Sequence, residues 1–433
     1  MFGFENVRPR APPAPAPALL SGSAQGVDWP VWARQYGNTC YCNSVLQALY
    51  SCGPFRERVA AHRAPWLAEG EKESGDDETL LTCLRDLFNQ MTFHKKRVGT
   101  IGPKKFVAKL KEENIMFRGY QQQDAHEFLN YTVNEIADLL RKDEARAKQL
   151  REEGKLPPLA EAPPAPPASP PGTPRSTDGG GAGGADNTDK EAGEAEEDGD
   201  GGKQKRTWVH EVFGGVLTNE TRCLNCECTT SRDEEFLDLS VELTQNSSIT
   251  HCLRCFSASE TLNGDDKFHC DMCGSLQEAQ KCMRLKCLPR VLALHLKRFK
   301  FVEQVGRFRK VSYRVSFPKE LRMPNTSENA VDAERLYRLR AIVVHAGSGP
   351  NQGHYLTIVH SHEMWLLFDD EKVNTIDEEM IATCFGVSHD ALTNTETGYL
   401  LFYETVDEQE ERRASMGERV GTPATGPQSK YKV

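Results

Sequence analysis

One cysteine stands where a helix is expected to begin. The stretch from Gly37 to Ser44 reads GNTCYCNS and precedes an apolar pattern at helical spacing, and Asn38 and Thr39 are residue types that start helices. Cys40 is therefore expected at or near a helix N-terminus, where the helix dipole and free amides favour the thiolate. Backbone N–H groups there could also hold an oxyanion. The sequence thus predicts that Cys40 is a nucleophile.

A cysteine nucleophile needs an imidazole to take its proton, and His354 is the best candidate. It follows Gly353 at the start of an apolar run, and a second run ends at Asp369 and Asp370. If the two runs pair as a hairpin, a carboxylate lies beside the imidazole and orients it. Other histidines and thiols stay open as alternatives: His345, His360, His362, Cys42 and Cys52.

Two Cys-x-x-Cys pairs have the spacing of metal-binding knuckles, Cys223 with Cys226 and Cys270 with Cys273. A two-residue gap lets both thiolates of a pair reach one tetrahedral Zn²⁺. Four such ligands leave no position for water, which predicts a structural zinc and not a catalytic one. The residues between the pairs are strand-like, so we expect the knuckles at the tips of two hairpins.

A third pair, Cys252 and Cys255, leaves another ligand set open, and Cys228 lies close to the first pair. Gly274, directly after Cys273, favours the outer two pairs because knuckle turns often need glycine. The third pair is therefore interpreted as not binding the metal.

The candidate catalytic and metal-binding residues fall in two regions of the chain, and a linker separates these regions. Apolar residues at helical spacing precede the linker, and short apolar runs bounded by turn residues follow it. The linker has nine prolines between Pro157 and Pro174 and cannot bury enough apolar area to fold. We predict a disordered tail at 1–30, a helical region with the nucleophile at 31–150, a Pro/Gly/acidic insertion at 151–205, a zinc region at 206–285, a β-rich region with the catalytic His at 286–405 and a disordered tail at 406–433.

Composition excludes several classes of protein. No run of 18 apolar residues exists, so no membrane span is expected, and 14 Cys without a secretory signal indicate a reducing compartment. Nine Asp/Glu against one Lys in 176–202 carry most of the net charge of −10. The basic cluster from Lys297 to Arg314 is interpreted as a solvated strand and turn, with an acidic partner surface as the alternative. Nucleic acid is not an expected partner.

Together these stretches resemble the ubiquitin-specific proteases, a family of papain-like cysteine isopeptidases. The motifs appear in the family's order across roughly residues 35–405. Besides the outer Cys pairs, they are Gly37–Gln47, Gln122–Leu129, Leu288–Phe299, Gly353–Tyr355 and Trp365–Asp370.

The resemblance implies an α+β, papain-like fold with a thumb at 31–150, zinc-bearing fingers at 206–285 and a palm at 286–405. The substrates would be ubiquitylated proteins, hydrolysed at the isopeptide bond of the ubiquitin C-terminal Gly by a Cys-His-Asp mechanism.

Individual residues also match the family's motifs. Gln122 and Asp124 match the thumb motif that lines the substrate cleft. Asp369 matches the third member of the triad, and Asp370 a supporting acid. The family usually has Asn five residues before the nucleophile, where its amide donates to the oxyanion. Gln35 keeps that amide one methylene further out, and we expect lower basal turnover as a result.

Further stretches, such as Asn219–Cys226 and Ser248–Arg254, resemble the subgroup of ubiquitin-specific proteases twelve and forty-six. Members of that subgroup are weak alone and are activated by WD40-repeat partners, so the resemblance implies such a partner. A cytoplasmic location is expected, with a nuclear one left open. The alternative function is a catalytically weak or inactive ubiquitin-binding scaffold, and a zinc-ribbon nucleic-acid or adaptor protein is the least favoured interpretation.

Overall fold

The computed structural model describes most of the chain outside the predicted tails and insertion. Gln35, segment 1–30, most of segment 151–205 and all but the first residue of 406–433 lie outside the described residues. The described residues are 32–33, 39–67, 78–93, 100–119, 121–157, 205–350, 352–387 and 396–406.

Helices dominate the region before the insertion. A capping box between Thr79 and Thr82 starts α3, and Asp124 starts α5 by accepting a hydrogen bond from the backbone N–H of His126 at 2.7 Å. Apolar residues at helical spacing then give both helices a buried face. The α-helices are α1 (Cys40–Ser51), α2 (Gly53–Ala61), α3 (Leu80–Thr92), α4 (Lys104–Glu113), α5 (Ala125–Glu152), α6 (Trp208–Phe213) and α7 (Ile249–Phe256).

Strands dominate the region after the insertion. Short 3₁₀ helices connect some of them, at Gly264–Asp266, Glu303–Val305 and Glu378–Phe385, and another precedes α5 at Ile115–Phe117. The strands are β1 (Trp32–Ala33), β2 (Thr100–Ile101), β3 (Gly215–Cys223), β4 (Thr229–Phe236), β5 (Leu239–Val241), β6 (Ser247–Ser248), β7 (Glu260–Leu262), β8 (Phe268–Cys270), β9 (Ser275–Gln277), β10 (Ala279–Cys287), β11 (Val291–Leu296), β12 (Phe299–Val302), β13 (Arg307–Lys310), β14 (Val315–Ser316), β15 (Glu320–Arg322), β16 (Thr326–Val331), β17 (Leu336–Gly349), β18 (Gln352–Ser361), β19 (Met364–Asp369), β20 (Lys372–Ile376) and β21 (Glu396–Thr405).

The largest sheet has the strand order β20-β19-β18-β17-β21-β11-β5, with β15 also paired to β17. Its strands pair antiparallel except β11 with β5. A second sheet has the strand order β16-β10-β3-β4, with β7 also paired to β10. β3 and β4 form an antiparallel hairpin of this second sheet, and β8 and β9 form a separate two-stranded hairpin.

The large sheet separates two apolar cores. Side chains alternate between the faces of a strand, and β11 shows this directly. Val291 and Ala293 join the core shared with the helices α1 to α5, while Leu292 and Leu294 join a core on the other face. Full burial of a side chain the size of Val291, Leu292 or Leu294 contributes about 1.5–3 kcal/mol of transfer free energy. Helix α1 therefore lies against β17 and β18 as part of the first core.

The boundary that the sequence suggested at residue 285 does not separate the two sheets. β5, from 206–285, pairs with β11 of the large sheet, and β16, from 286–405, pairs with β10 of the smaller one. Both pairings are parallel, and a parallel pair requires a crossover connection. The chain therefore passes between the sheets more than once.

The interpretation of the basic cluster as a solvated strand and turn is wrong for Arg298. Its side chain is fully buried, and burial lowers the pKa of Arg298 to about 10. A guanidinium has five N–H donors in a fixed plane, so it can satisfy several carbonyls at once. Arg298 donates at 2.6–3.4 Å to the backbone carbonyls of Tyr313, Gly398, Val311 and Phe385.

No helix within the described ranges is long and apolar enough to cross a membrane.

Candidate active site

Cys40 is the first residue of α1, with Thr39 at the N-cap position. The backbone N–H of Asn43 donates to the carbonyl of Thr39 at 3.0 Å, which closes the first turn. The first turn has no acidic residue, so nothing there offsets the positive end of the helix dipole. The Cys40 side chain is buried, with 3% of its surface exposed. The helix start predicted from the sequence is thus where the structure places it.

His354 and Asp369 come together through the hairpin of β18 and β19. The two strands pair antiparallel, with Thr357 opposite Phe368. The result is a hydrogen bond of 2.7 Å between Nε2 of His354 and Oδ1 of Asp369. Because Nε2 is engaged there, Nδ1 is the ring nitrogen left to exchange a proton with a substrate or a thiol.

That thiol is Cys40. The pKa of His354 is raised to about 10, first by the hydrogen bond to Asp369 and next by a hydrogen bond with Cys40. The hydrogen bond to His354 in turn lowers the pKa of Asp369. At neutral pH the imidazole is therefore protonated and the carboxylate ionised, which is the state that a thiolate–imidazolium pair requires.

Asp370 is in a different position. Its Oδ2 lies 3.8 Å from Nε2 of His354, beyond hydrogen-bonding distance, and burial raises the pKa of Asp370. Its backbone adopts a left-handed φ of 51° in the turn after β19. The two neighbouring acids thus have different environments, and it is Asp369 that holds the imidazole.

The segment before α5 carries Gln122 and Asp124, and it brings Gln122 into contact with Cys40. Nε2 of Gln122 donates to Sγ of Cys40 at 3.4 Å. Asp124 caps α5 and accepts a hydrogen bond from the hydroxyl of Tyr399, which lies 2.7 Å from both carboxylate oxygens. Sequence reasoning missed Tyr399 because it belongs to an apolar strand, β21, with no local motif for a polar role.

The competing histidines and thiols have other environments. His345 is fully buried, and burial lowers its pKa to about 3, so it is a poor proton acceptor. The His360 ring packs on Trp365. Cys42 and Cys52 are fully buried, and burial raises the pKa of both thiols.

The outer cysteine pairs meet at the tips of two hairpins, as their spacing predicted. Cys223 ends β3 and Cys226 follows in its turn, while Cys270 ends β8 and Cys273 follows in its turn. Gly274 has the left-handed φ of 62° that the second turn needs. The four sulfur atoms lie within 4.8 Å of one another.

This sulfur cluster fits a tetrahedral metal. Sγ of Cys223 lies 4.0 Å from Sγ of Cys273, and Sγ of Cys226 lies 3.5 Å from Sγ of Cys270. A zinc ion at about 2.3 Å from four sulfurs requires them to be about 3.8 Å apart. The amide of Asn225 also donates to Sγ of Cys273 at 3.4 Å, as an outer partner of such a ligand would.

The third pair lies elsewhere, on α7. Cys252 is buried there with its Sγ 3.4 Å from Oγ of Ser247, and Cys255 is exposed with its Sγ 3.5 Å from Nε2 of His251. Among the described residues, neither thiol belongs to the four-sulfur cluster.

A polar junction near the cleft had no sequence signal. Nε2 of His126, on α5, lies 2.7 Å from Oδ2 of Asp238, and the His126 ring stacks on that of His295 with centroids 3.7 Å apart. Nδ1 of His295 lies 2.8 Å from Oγ of Ser240, and burial lowers the pKa of His295 well below its usual value. His126 is more than 100 residues from both Asp238 and His295 in the chain, so only the folded structure shows these contacts.

Known proteins share this chain's sequence and fold. Residues 33–403 match the ubiquitin carboxyl-terminal hydrolase family. The chain is 50% identical over 372 residues to ubiquitin carboxyl-terminal hydrolase 12 of Salmo salar, which covers 86% of this chain and 88% of that protein. It is also 50% identical over 377 residues to ubiquitin carboxyl-terminal hydrolase 4 of Arabidopsis thaliana, and this match covers 86% of this chain and 92% of that protein.

A solved structure is similar as well. It is the SAGA Ubp8/Sgf11/Sus1/Sgf73 DUB module bound to ubiquitin aldehyde, with a TM-score of 0.61 at 25% identity, covering 88% of this chain and 70% of that chain. The mixed helix and sheet architecture is therefore that of a ubiquitin-specific protease catalytic domain. Because the family match spans most of the chain, and both relatives align over most of their own length, the chain belongs to the ubiquitin carboxyl-terminal hydrolase family.

Proposed function

We propose that this cysteine-protease deubiquitinase uses Cys40 as its nucleophile, His354 as its general base and acid, and Asp369 to orient the imidazole. The observation that carries the proposal is the position of His354. Its Nε2 is held by Asp369 at 2.7 Å, and Cys40 is near enough to the same ring to raise the pKa of the imidazole. A carboxylate in that place fixes the tautomer and stabilises the imidazolium.

The reaction follows from this arrangement. Thiolate Sγ of Cys40 attacks the carbonyl carbon of the C-terminal Gly of ubiquitin, which is bonded to the lysine Nζ, and the carbonyl π electrons move to oxygen. When the intermediate collapses, the C–N bond breaks and His354 protonates the departing lysine amine. The neutral imidazole then takes a proton from water, and the hydroxide hydrolyses the thioester. The C–S bond breaks and releases the thiolate, the new carboxyl group of ubiquitin loses its proton to solvent, and the thiolate–imidazolium pair is restored.

The region beside Cys40 and His354, at the start of α1 and the start of β18, would hold the ubiquitin tail. Gln122 and Asp124 lie at this cleft beside Cys40 and Tyr399, as residues that bind an extended tail would. Gln35, outside the described residues, would add a side-chain amide to the oxyanion, as its place before Cys40 suggests. Ubiquitin and ubiquitylated proteins are the substrates that this assignment requires.

The four-sulfur cluster would hold a structural zinc. Its sulfur separations suit a tetrahedral site, and four thiolates close the coordination shell. Zinc there would fix the β3–β4 tip to the β8–β9 hairpin and so shape the fingers.

A WD40-repeat protein is the proposed activating partner. The motifs of the subgroup described above support it, and so does the 50% identity to a relative named ubiquitin carboxyl-terminal hydrolase 12. The cytoplasmic and nuclear locations expected from the sequence stay predictions, as does the expectation that nucleic acid and membranes are not partners.

The test is hydrolysis of a ubiquitin C-terminal fluorogenic amide by the full chain, with and without a WD40-repeat partner. Cys40→Ala is expected to abolish release while ubiquitin binding persists, because only the attacking sulfur is lost. Cys42→Ala, two residues along the same helix, is the matched control and is expected to retain release. Residual turnover in Cys40→Ala would move the nucleophile elsewhere. Ubiquitin binding without any release by the unmodified chain would favour the scaffold function instead.

A further inference from the structure

The sulfur of Cys40 has a second polar neighbour besides His354. Nε2 of Gln122 donates to it at 3.4 Å across 82 residues of chain. The Gln122 side chain is buried, with 6% of its surface exposed. The packing around Gln122 therefore holds its amide against the sulfur, which a mobile side chain at the surface would contact only transiently.

The surroundings hold Gln122 in this position. It lies two residues before Asp124, whose carboxylate caps α5 and accepts the hydroxyl of Tyr399. The segment is therefore fixed to both α5 and β21. Such support is what a preorganised donor needs, because its orientation then costs nothing at the moment of reaction.

The chemistry at this sulfur needs a donor twice. A thiolate is stabilised by a charge-assisted N–H hydrogen bond. When the C–S bond forms, negative charge passes from sulfur to the carbonyl oxygen, which is bonded to the carbon under attack. In the intermediate this oxygen and the sulfur are bonded to the same carbon. The Gln122 amide, which already contacts the sulfur, is therefore within reach of the oxygen.

We propose that Gln122 is a catalytic residue whose side-chain amide donates to the Cys40 thiolate in the free enzyme and to the oxyanion in the tetrahedral intermediate. The proposal rests on the assignment of Cys40 as the nucleophile. It goes beyond a cleft-lining role for Gln122, since a group that only binds the ubiquitin tail has no effect on the thiol itself.

The test separates these roles by leaving ubiquitin out. Alkylation of Cys40 by iodoacetamide reports the thiolate alone and is followed as a function of pH. Three classes of titratable group surround this sulfur: the imidazole with its acids, two tyrosines and a thiol. They are His354, Asp369, Asp370, Tyr41, Tyr355 and Cys42.

These neighbours do not obscure the measurement. Burial raises the pKa of Tyr41, Tyr355 and Cys42, so all three stay neutral at neutral and mildly alkaline pH. His354, with its pKa near 10, stays protonated in the same range. A difference in the alkylation profile between a Gln122 variant and the unmodified chain then reports the hydrogen bond from Gln122 to Cys40.

Gln122→Leu is expected to move the alkylation profile to higher pH by about one unit and to lower kcat for the ubiquitin amide about 10- to 100-fold. Gln122→Glu keeps the size of the side chain but replaces the donor by a carboxylate, so it is expected to move the profile further. Gln121→Leu is the matched control, since Gln121 is exposed and adjacent in the chain. It is expected to leave both measurements unchanged.

An unchanged alkylation profile in both Gln122 variants, with KM raised and kcat retained, would overturn the proposal in favour of tail binding alone. An unchanged profile with unchanged kinetics would also overturn it. Mass spectrometry identifies the alkylated residue in each case. Rapid labelling at another thiol, with turnover surviving in Cys40→Ala, would instead show that the assignment of the nucleophile had failed.

Discussion

At the residue scale, the protonation state in which His354 begins the reaction depends mainly on its hydrogen bond to Asp369. Asp369 is the first cause of the pKa of about 10, so the imidazolium persists until the pH rises through that value. Asp369→Asn removes the charge, and the pKa of His354 falls towards the ordinary value near 6.5. We expect the alkaline limb of the pH–activity profile to move to lower pH and kcat to fall at least about 100-fold.

The measurement is the pH profile of ubiquitin-amide hydrolysis. Asp370→Asn is the comparison, because its carboxylate is 3.8 Å from Nε2 of His354 and is not hydrogen-bonded to it. Its alkaline limb is expected to move much less. Equal displacement in the two variants would show that the general negative potential, and not the 2.7 Å hydrogen bond, sets the protonation of His354.

Local signals made some of these residues predictable and left others hidden. Cys40 could be placed because helix-start residues precede it, and His354 with Asp369 because two apolar runs end in polar residues. The contact between Gln122 and Cys40 depends on how an irregular segment packs 82 residues away. No spacing rule covers such a contact, and the motif suggested only that Gln122 lines the cleft.

At the scale of elements, the two knuckles connect hairpins that otherwise share little structure. β8 and β9 form a two-stranded sheet of three residues each, which is marginal without support. Metal binding supplies about 10–16 kcal/mol in small zinc domains, so loss of one ligand should loosen the hairpin. Cys270→Ser is therefore expected to lower bound zinc from about one per chain to near zero and to lower the thermal midpoint.

Elemental analysis of the purified chain measures this directly. Cys228→Ser is the matched control, because Cys228 is exposed and close in sequence to Cys226 but outside the cluster. It is expected to retain zinc. Zinc retained in Cys270→Ser and lost in Cys255→Ser would assign the metal to the third pair instead.

The hairpins could be predicted from alternation and turn residues, but the roles of the basic residues between strands could not. Lys297 to Arg314 has the composition of a solvated surface. Only the folded structure shows that carbonyls from three segments converge on Arg298. A charged residue that satisfies buried carbonyls and one that faces solvent have the same sequence signature, since both follow an apolar strand.

At the scale of the whole molecule, the site exists only when the thumb helices and the large sheet are held together. Cys40 and Gln122 come from one side of the insertion, and His354 and Asp369 from the other. The helices and strands of each side could be predicted separately. Their relative position depends on contacts such as that of α1 with β18, which sequence spacing does not encode.

The junction of His126, Asp238 and His295 is one of these long-range contacts, and it gives the last prediction. Asp238 accepts from His126 at 2.7 Å, and both side chains are mostly buried. Asp238→Ala removes the acceptor, so we expect unfolding to become easier by about 1–3 kcal/mol. Because His126 lies two residues after Asp124, the cleft shifts with it, and kcat/KM should fall by up to about tenfold. Chemical denaturation and ubiquitin-amide kinetics measure the two effects, with the exposed Asp265→Ala as control. A loss of stability without any change in kcat/KM would show that the junction supports the fold but does not position the cleft.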